Sequence, residues 1–162
     1  MANPEIKNQK KHRMHKFGAY LILLVTLASC TQFDYEQSVV VPDAKWAISD
    51  TISVDLPITD TSTQQNVYIK LKHTEEYLNS NLWLFVKVIA PNGSQTADTL
   101  ELQIADHRGK WYGKKWFGEY LLLHPYKQNE RFEQLGNYQF SIVQGMRKDT
   151  LNYINEIGLA IK

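Results

Sequence analysis

The one cysteine of the chain, Cys30, has the surroundings that most clearly specify a reaction. It ends the tetrapeptide Leu27-Ala28-Ser29-Cys30, in which small residues separate an apolar run from the thiol. This pattern is typical of the cleavage site of a bacterial lipoprotein. There the thiol forms a thioether to diacylglycerol and the new amino terminus is acylated, with palmitate among the usual acyl groups. The sequence therefore predicts lipidation of Cys30, and the alternative is an ordinary signal peptide with an incidental cysteine.

The residues before Cys30 have the organisation of a secretory signal. Five basic residues lie between positions 7 and 16, and an apolar run of eleven residues follows at positions 17–27. A charged start, a short apolar core and small residues at the end define a signal peptide. The run is shorter than the roughly 20 residues that a membrane-spanning helix needs. We therefore predict that residues 1–29 are removed and that acyl chains hold the mature protein to a membrane.

The mature chain would be one modest, slightly acidic domain. Removal of residues 1–29 leaves 133 of the 162 residues, enough to bury about two-thirds of the unfolded surface. Five of the 18 basic residues and one of the 17 acidic residues fall in the leader, which leaves 13 basic and 16 acidic residues. A net charge of −3 without a basic run argues against nucleic acid as a partner. With its only thiol lipidated, the chain forms no internal disulfide.

The remaining polar residues give little indication of catalysis or metal binding. The mature chain has three histidines, His73, His107 and His124, and none lies at ligand spacing from another. No Gly-x-Ser-x-Gly nucleophile motif is present in the sequence. We therefore expect no metal, no cofactor and no catalytic residues, and a protein that is not an enzyme.

The stretch from Asp106 to Gly118 concentrates aromatic and basic side chains among glycines. Its candidate contact residues are Arg108, Trp111, Tyr112, Trp116 and Phe117. Exposed rings of this kind stack on sugars or anchor a protein partner. The alternative, which we favour, is that the rings fold back to close one end of the domain while the glycines make the turns. Nearby lysines suit an acidic surface or lipid headgroups, and a solvated loop explains them equally well.

Apolar and polar residues alternate along most of the mature chain, as in half-buried strands. The predicted strands include residues 52–58, 67–71, 82–89, 100–104, 138–142 and 157–161. In total we expect about seven or eight strands at intervals of about 8–15 residues, with no long helical period. This spacing favours an all-β antiparallel β-sandwich, jelly-roll or immunoglobulin-like, over an α/β fold. The domain prediction is a signal peptide at 1–29, a lipid-anchored tether at 30–42 and the β-sandwich at 43–162.

Several strands carry more specific expectations. The continuous apolar run at 82–86 predicts a central strand covered on both faces, with Trp83 in the core. The sequence Pro91-Asn92-Gly93-Ser94 predicts the turn of the hairpin that follows it. Pro57 places the far end of its strand at a sheet edge or a strand exit. Residues 120–125 are ambiguous between a strand and a helix, which leaves room for one short helical insertion near 119–124.

Segments distributed over nearly the whole mature chain resemble those of one family. They are the lipobox, Phe33-Asp34-Tyr35-Glu36, Ser80-Asn81-Leu82-Trp83-Leu84-Phe85-Val86, Pro91-Asn92-Gly93, Asp98-Thr99-Leu100-Glu101, Ala105-Asp106, Gly109-Lys110-Trp111-Tyr112-Gly113 and Gln144-Gly145-Met146-Arg147. In this order they resemble the gliding-motility lipoprotein GldH family of the Bacteroidetes.

The resemblance implies an envelope lipoprotein that is needed for surface gliding and is linked to the type IX secretion machinery. It implies no enzymatic activity and no ligand-binding residues. Thr31 does not resemble the acidic residue of an inner-membrane retention signal. We therefore expect a lipid anchor in the outer membrane, on the periplasmic face, with the cell surface as the alternative. The expected partners are the membrane and other gliding and secretion proteins of the envelope, with a surface glycan as the alternative.

Overall fold

The computed structural model describes residues 33–162, which form antiparallel strands joined by short loops. The strands are β1 (Tyr35–Val40), β2 (Lys45–Ala47), β3 (Ile52–Ile58), β4 (Gln65–Thr74), β5 (Asn81–Ile89), β6 (Gln95–Gln103), β7 (Lys114–Trp116), β8 (Glu119–Glu130), β9 (Gly136–Gln144), β10 (Thr150–Asn152) and β11 (Ile154–Ile161). A 3₁₀ turn at Pro42–Ala44 connects β1 and β2. Cys30 and the predicted signal peptide lie outside the described residues.

The strands form two main sheets. The first has the order β1-β11-β4-β8-β7 and the second the order β3-β9-β5-β6, while β10 and β2 make a separate pair. Alternating side chains of both sheets are buried in one hydrophobic cluster, for example Leu71 and Leu159 of the first sheet and Leu56 and Leu84 of the second. Alternation buries one face of each sheet, so the two faces must pack together. The predicted all-β antiparallel sandwich is confirmed.

The hairpin and the edge strand agree with the sequence prediction. β5 and β6 pair from Asn81↔Gln103 to Ile89↔Gln95, and the turn between them includes Gly93 at a φ of 84°. β3, which contains Pro57, is the first strand of its sheet and pairs only with β9 among the described strands. Proline is tolerated there because an edge strand leaves half of its backbone groups unpaired.

The segment that was ambiguous between strand and helix is the beginning of β8. Residues 119–124 pair with β4, from Thr74↔Glu119 to Ile69↔His124, so the short helical insertion is wrong. β7 covers only the first three residues of β8. At Pro125 no described strand lies on the β7 side of β8, so no backbone N–H is needed there for pairing. The proline therefore does not end the strand.

The predicted tether extends too far into the domain. Tyr35–Val40 form β1 and pair residue by residue with β11, so these residues belong to the first sheet. Their burial does not alternate, so these residues carry no alternating pattern that would predict a strand. The β domain therefore begins near Tyr35 instead of at residue 43.

β5 is central in its sheet, but only one of its faces is covered. Leu82, Leu84 and Val86 are buried, whereas Trp83 is 38% exposed and Phe85 is 51% exposed. The placement of Trp83 in the core is therefore wrong. An unbroken apolar run predicts a strand buried on both faces, but here alternate residues face solvent.

Candidate functional site

The aromatic loop, residues 105–118, connects β6 to β8 and contains β7. Asp106 organises its first half, because its Oδ1 accepts hydrogen bonds from the backbone N–H groups of Arg108 (2.8 Å) and Lys110 (2.9 Å). The backbone N–H of Asp106 in turn donates to the Lys110 carbonyl at 2.9 Å. An aspartate that binds the backbone of following residues fixes a tight turn. The loop is structured, as its composition predicted.

Trp111 points back onto the domain. It is partly buried against the hydrophobic cluster and forms an isolated bridge with Ala105. Its ring meets His73 edge to face at a centroid distance of 4.9 Å and lies 6.2 Å from Tyr120. His73 also stacks on Tyr120 at 5.6 Å. Trp111 therefore anchors the loop to β4 and β8.

His73 is fully buried beneath this cluster. Its Nδ1 donates a hydrogen bond to the Thr74 carbonyl at 2.8 Å, and its Nε2 has no hydrogen-bond partner. Burial lowers the pKa of the imidazole, since a charged ring here would lose its hydration. The ring is therefore neutral at physiological pH and serves to pack the loop.

Trp116 and Phe117 lie at the tip of the β7–β8 hairpin. Trp116 pairs with Glu119, and the two residues between them, Phe117 and Gly118, have φ values of 46° and 86°. Positive φ at both central positions is the requirement of a type I′ turn, for which asparagine or glycine is preferred at the first position. Phe117 is 91% exposed and Trp116 is 73% exposed. A large aromatic side chain thus occupies a strained position without being buried.

The basic residues of the loop differ in their pairing. Lys115 forms an ion pair with Glu75 at 2.6 Å, and this hydrogen bond raises the pKa of the Lys115 ammonium group. Arg108, Lys110 and Lys114 are exposed and make no ion pair with any residue in 33–162. The tip therefore presents two rings in edge-to-face contact, with the exposed Lys114 and Lys115 in the strand that leads to it.

The predicted contact residues do not form one surface. Trp116 and Phe117 contact each other edge to face at 5.1 Å, while Trp111 packs inward on His73. Tyr112 is exposed, and its N–H donates to the Ile104 carbonyl at 2.8 Å. The expectation that the rings fold back therefore holds for Trp111 and is wrong for Trp116 and Phe117.

A second exposed aromatic surface lies on the outer face of the β3-β9-β5-β6 sheet, which the sequence reasoning missed. Trp83 and Phe85 occupy alternate outward positions of β5. Beside Trp83 lies an open recess of about 530 Å³, bounded by Asn79, Asn81 and residues 145–148. The sequence does hold a signal for this surface. Leu82, Leu84 and Val86 already supply one buried face of β5, so the apolar residues between them, Trp83 and Phe85, lie on the opposite face.

A second concavity, of about 370 Å³, opens between β6 and β8. Asp98 accepts hydrogen bonds at its rim from Tyr126 (2.5 Å) and ion-pairs with Lys127 (3.0 Å). The Tyr126 hydrogen bond lowers the pKa of the Asp98 carboxyl, while burial raises the pKa of the Tyr126 hydroxyl. These three groups therefore satisfy one another's hydrogen bonds and charge.

Two further properties bear on function. Among residues 33–162, no helix is long and apolar enough to cross a membrane. The same residues contain no cluster of three or more histidine, cysteine, aspartate or glutamate side chains that could hold a metal ion.

Comparison with solved structures gives weak likenesses only. The structure of infectious bursal disease virus Gx strain has a TM-score of 0.40 and 13% identity, over 82% of this chain and 33% of that chain. The VP2 subviral particle of the same virus has a TM-score of 0.38 and 14% identity, over 82% and 34%. This chain spans about a third of those proteins, and neither likeness bears on function.

Comparison with known sequences is more specific. The chain is 28% identical to the gliding motility lipoprotein GldH of Flavobacterium johnsoniae, over 93% of this chain and 98% of that protein. It is 25% identical to the gliding motility lipoprotein GldH homolog of Christiangramia forsetii, over 88% and 92%. The family model of the GldH lipoprotein matches residues 34–161. This match covers almost all of the β domain, and the chain belongs to the GldH lipoprotein family.

Proposed function

We propose that this protein is a non-enzymatic envelope lipoprotein that supports gliding motility and the associated type IX secretion machinery. It is lipidated on Cys30 and anchored in the outer membrane, with its β domain on the periplasmic face. The names of the two relatives support the motility role, and the resemblance noted above supports the link to secretion. The lipobox supports the anchor.

The observation that carries the mode of action is the position of the exposed hairpin tip relative to the anchored strand. Tyr35 at the start of β1 lies in one row with Ile161 and Val67, at one end of the first sheet. Glu119, next to the tip, pairs with Thr74 at the other end of β4. Thr74 follows Val67 by seven positions, a distance of about 23 Å along an extended strand.

The short segment between Cys30 and β1 limits which end of the first sheet the lipid can hold near the membrane. Cys30 precedes Tyr35 by five residues, which span at most about 17 Å when fully extended. A lipid on Cys30 therefore holds the β1 end close to the bilayer, while Trp116 and Phe117 project from the far end. Tryptophan is among the side chains most enriched at the centres of protein interfaces. We infer that the tip docks a protein of the envelope machinery, and that membrane tethering raises the local concentration for modest contacts.

Deletion of the gene tests the cellular role. The deletion strain should lose surface spreading and secrete less type IX cargo. Complementation with the Cys30→Ser variant should fail to restore either activity, although the β domain remains folded. Normal spreading and secretion in the deletion strain would contradict the proposed function.

A second experiment tests the docking surface by itself. The double variant Trp116→Ala, Phe117→Ala should fold normally and fail to restore spreading. Leu135→Ala is the matched control, because Leu135 is an exposed apolar residue of the β8–β9 loop at the other end of the sheet. A photo-crosslinking residue at position 117 should capture a protein that the same residue at position 135 does not. If the double variant spreads normally, or if a crosslinking residue at position 117 captures the same proteins as one at position 135, the tip is not the docking surface.

A further inference from the structure

We propose that the outer face of the β3-β9-β5-β6 sheet binds a saccharide carrying a carboxylate, in the recess between Trp83 and residues 145–148. This site is separate from the hairpin tip and does not depend on the proposed role in motility. A glycan was the expected alternative ligand of Trp111 and Trp116, but those two rings lie apart. The Trp83 face has an aromatic ring beside amide and cationic groups.

Trp83 supplies the aromatic lining of the recess, and Phe85 lies on the same outer face of β5. They occupy successive outward positions of β5, about 7 Å apart along the strand, and both are accessible to solvent. A β-carbon at Gly145 would lie 3.1 Å from the Phe85 ring, so the glycine allows this ring to lie against the loop. Flat apolar rings with open faces suit the C–H faces of a pyranose.

The polar part of the site is asymmetric in charge. Arg147 and Lys148 line the recess on the β9 side, and neither forms an ion pair with a residue in 33–162. Glu101 lies on the other side of Trp83, on β6, where it accepts a hydrogen bond from Asn81 at 2.6 Å. Two unpaired cations at one end of the recess attract a carboxylate, and the arginine can bind both of its oxygens.

The loop is held in place before any ligand binds. Gln144 is fully buried; its amide donates to the Lys148 carbonyl at 2.8 Å and accepts from the Met146 N–H at 2.8 Å. The Gly145 N–H donates to the Trp83 carbonyl at 2.7 Å, and the Trp83 N–H contacts the Met146 sulfur at 3.3 Å. A fixed loop loses little conformational freedom on binding, which favours affinity for a small ligand.

The shape of the recess favours a saccharide over a folded protein. Its volume of about 530 Å³ falls in the range of about 300–1,000 Å³ that is usual for small-ligand sites. Its polar groups include the side chains of Asn79 and Asn81, which suit sugar hydroxyl groups. An acidic peptide shares the charge of a carboxylated sugar but lacks its apolar ring face, so the two are separable by experiment.

The test is titration of the mature lipidated protein in detergent micelles, monitored by tryptophan fluorescence and calorimetry. The probes are tetramers of galacturonic, glucuronic and mannuronic acid. The methyl-esterified galacturonate tetramer is the uncharged control, and tetraglutamate is the acidic peptide. Trp83→Ala and the double variant Arg147→Gln, Lys148→Gln are compared with Trp116→Ala, which removes an exposed tryptophan outside the site.

We expect at least one acidic tetramer to bind, with affinity that falls as salt is added. The Trp83→Ala and double variants should each weaken binding about tenfold or more, whereas Trp116→Ala should not change it. The ester and tetraglutamate should bind more weakly than the acidic tetramer. The double variant changes only exposed side chains, so its result stands even if Trp83→Ala lowers the melting temperature.

Three results would overturn the proposal. The first is no binding of any acidic tetramer at millimolar concentration. The second is equal affinity of the native protein and the double variant. The third is tighter binding of tetraglutamate than of every saccharide, which would assign the recess to an acidic peptide.

Discussion

Replacement of Phe117 by asparagine should stabilise the protein while removing its docking surface. Phe117 has a φ of 46° at the first central position of the β7–β8 turn and is almost fully exposed. Phe117→Asn places the dipeptide Asn-Gly at a turn whose two positive φ angles that dipeptide prefers. Little burial is lost, so the backbone effect should decide the sign of the change.

The magnitude follows from two opposing contributions. A non-glycine residue in the left-handed region costs about 1–2 kcal/mol, and asparagine avoids part of this cost because its short polar side chain bonds locally. The substitution also removes the edge-to-face contact with Trp116, which is worth about 0.5–1 kcal/mol between such exposed rings. With about 1–1.5 kcal/mol of the left-handed cost recovered by asparagine, the net expectation is a gain of about 0–1 kcal/mol in the free energy of unfolding. For a domain of this size the melting temperature should rise by up to about 4 °C.

The assay is thermal and urea unfolding of Phe117→Asn beside Gly118→Ala, a control in the same turn. A β-carbon at Gly118 meets nothing within 4 Å, but its φ of 86° is unfavourable for alanine. Gly118→Ala should therefore destabilise by about 1 kcal/mol, opposite in sign to Phe117→Asn. A lower melting temperature for Phe117→Asn would refute the reasoning, because it would mean that the phenyl ring stabilises the fold. Retention of normal spreading would refute its role in docking.

Three further predictions test other parts of the structure. Gly158→Ala should destabilise the protein by about 3 kcal/mol, because the new β-carbon would lie 2.2 Å from the Gln37 carbonyl oxygen. Amide exchange in β1 should increase as well, and unchanged exchange would contradict the pairing of β1. Trp83→Ala should lower the free energy of unfolding in urea by only about 1–2 kcal/mol, whereas Leu84→Ala, at a fully buried position, should lower it by about 3 kcal/mol. Equal losses would mean that Trp83 is a core residue. Burial lowers the pKa of His73 in the folded state, so its contribution to stability is complete above pH 6.5 and is lost as the pH falls below that value. The free energy of unfolding should therefore decrease between pH 7 and pH 5, and His73→Phe should flatten this decrease; an identical slope in the variant would contradict the assignment.

Local patterns sufficed where one face of a strand determined its position. The alternation in β3 and β4 and the Asn-Gly turn between β5 and β6 are local features, and the structure contains each of them. β1 has no such pattern; it is a strand because β11 offers it six backbone partners from the other end of the chain. Pairing with a distant segment leaves no periodic pattern in β1 itself, so the sequence predicts too long a tether.

The aromatic loop shows the same limit for side chains. Its turns could be read from Asp106 and the glycines, because these residues act on their own neighbours. The direction of each ring could not be predicted from the sequence. Trp111 turns inward because it contacts His73, a residue of β4 about 40 positions earlier. Trp116 lies five residues beyond Trp111 in a nearly repeated sequence, yet it has no such buried partner and faces solvent.

The exposed aromatic residues of β5 illustrate why function itself limits prediction from composition. A strand whose outer face binds a ligand carries the same large apolar residues as a strand covered by a second layer, because both exchange water for contact with another surface. The residues at positions 82–86 are therefore consistent with an outer face that binds a ligand and with one covered by a second layer. What separates them is whether another part of the chain covers the outer face, and here none of the described residues buries Trp83 or Phe85. An apolar run that is too continuous for a half-buried strand is thus itself a reason to look for a partner outside the chain, and the cations and amides beside Trp83 indicate the chemistry of that partner.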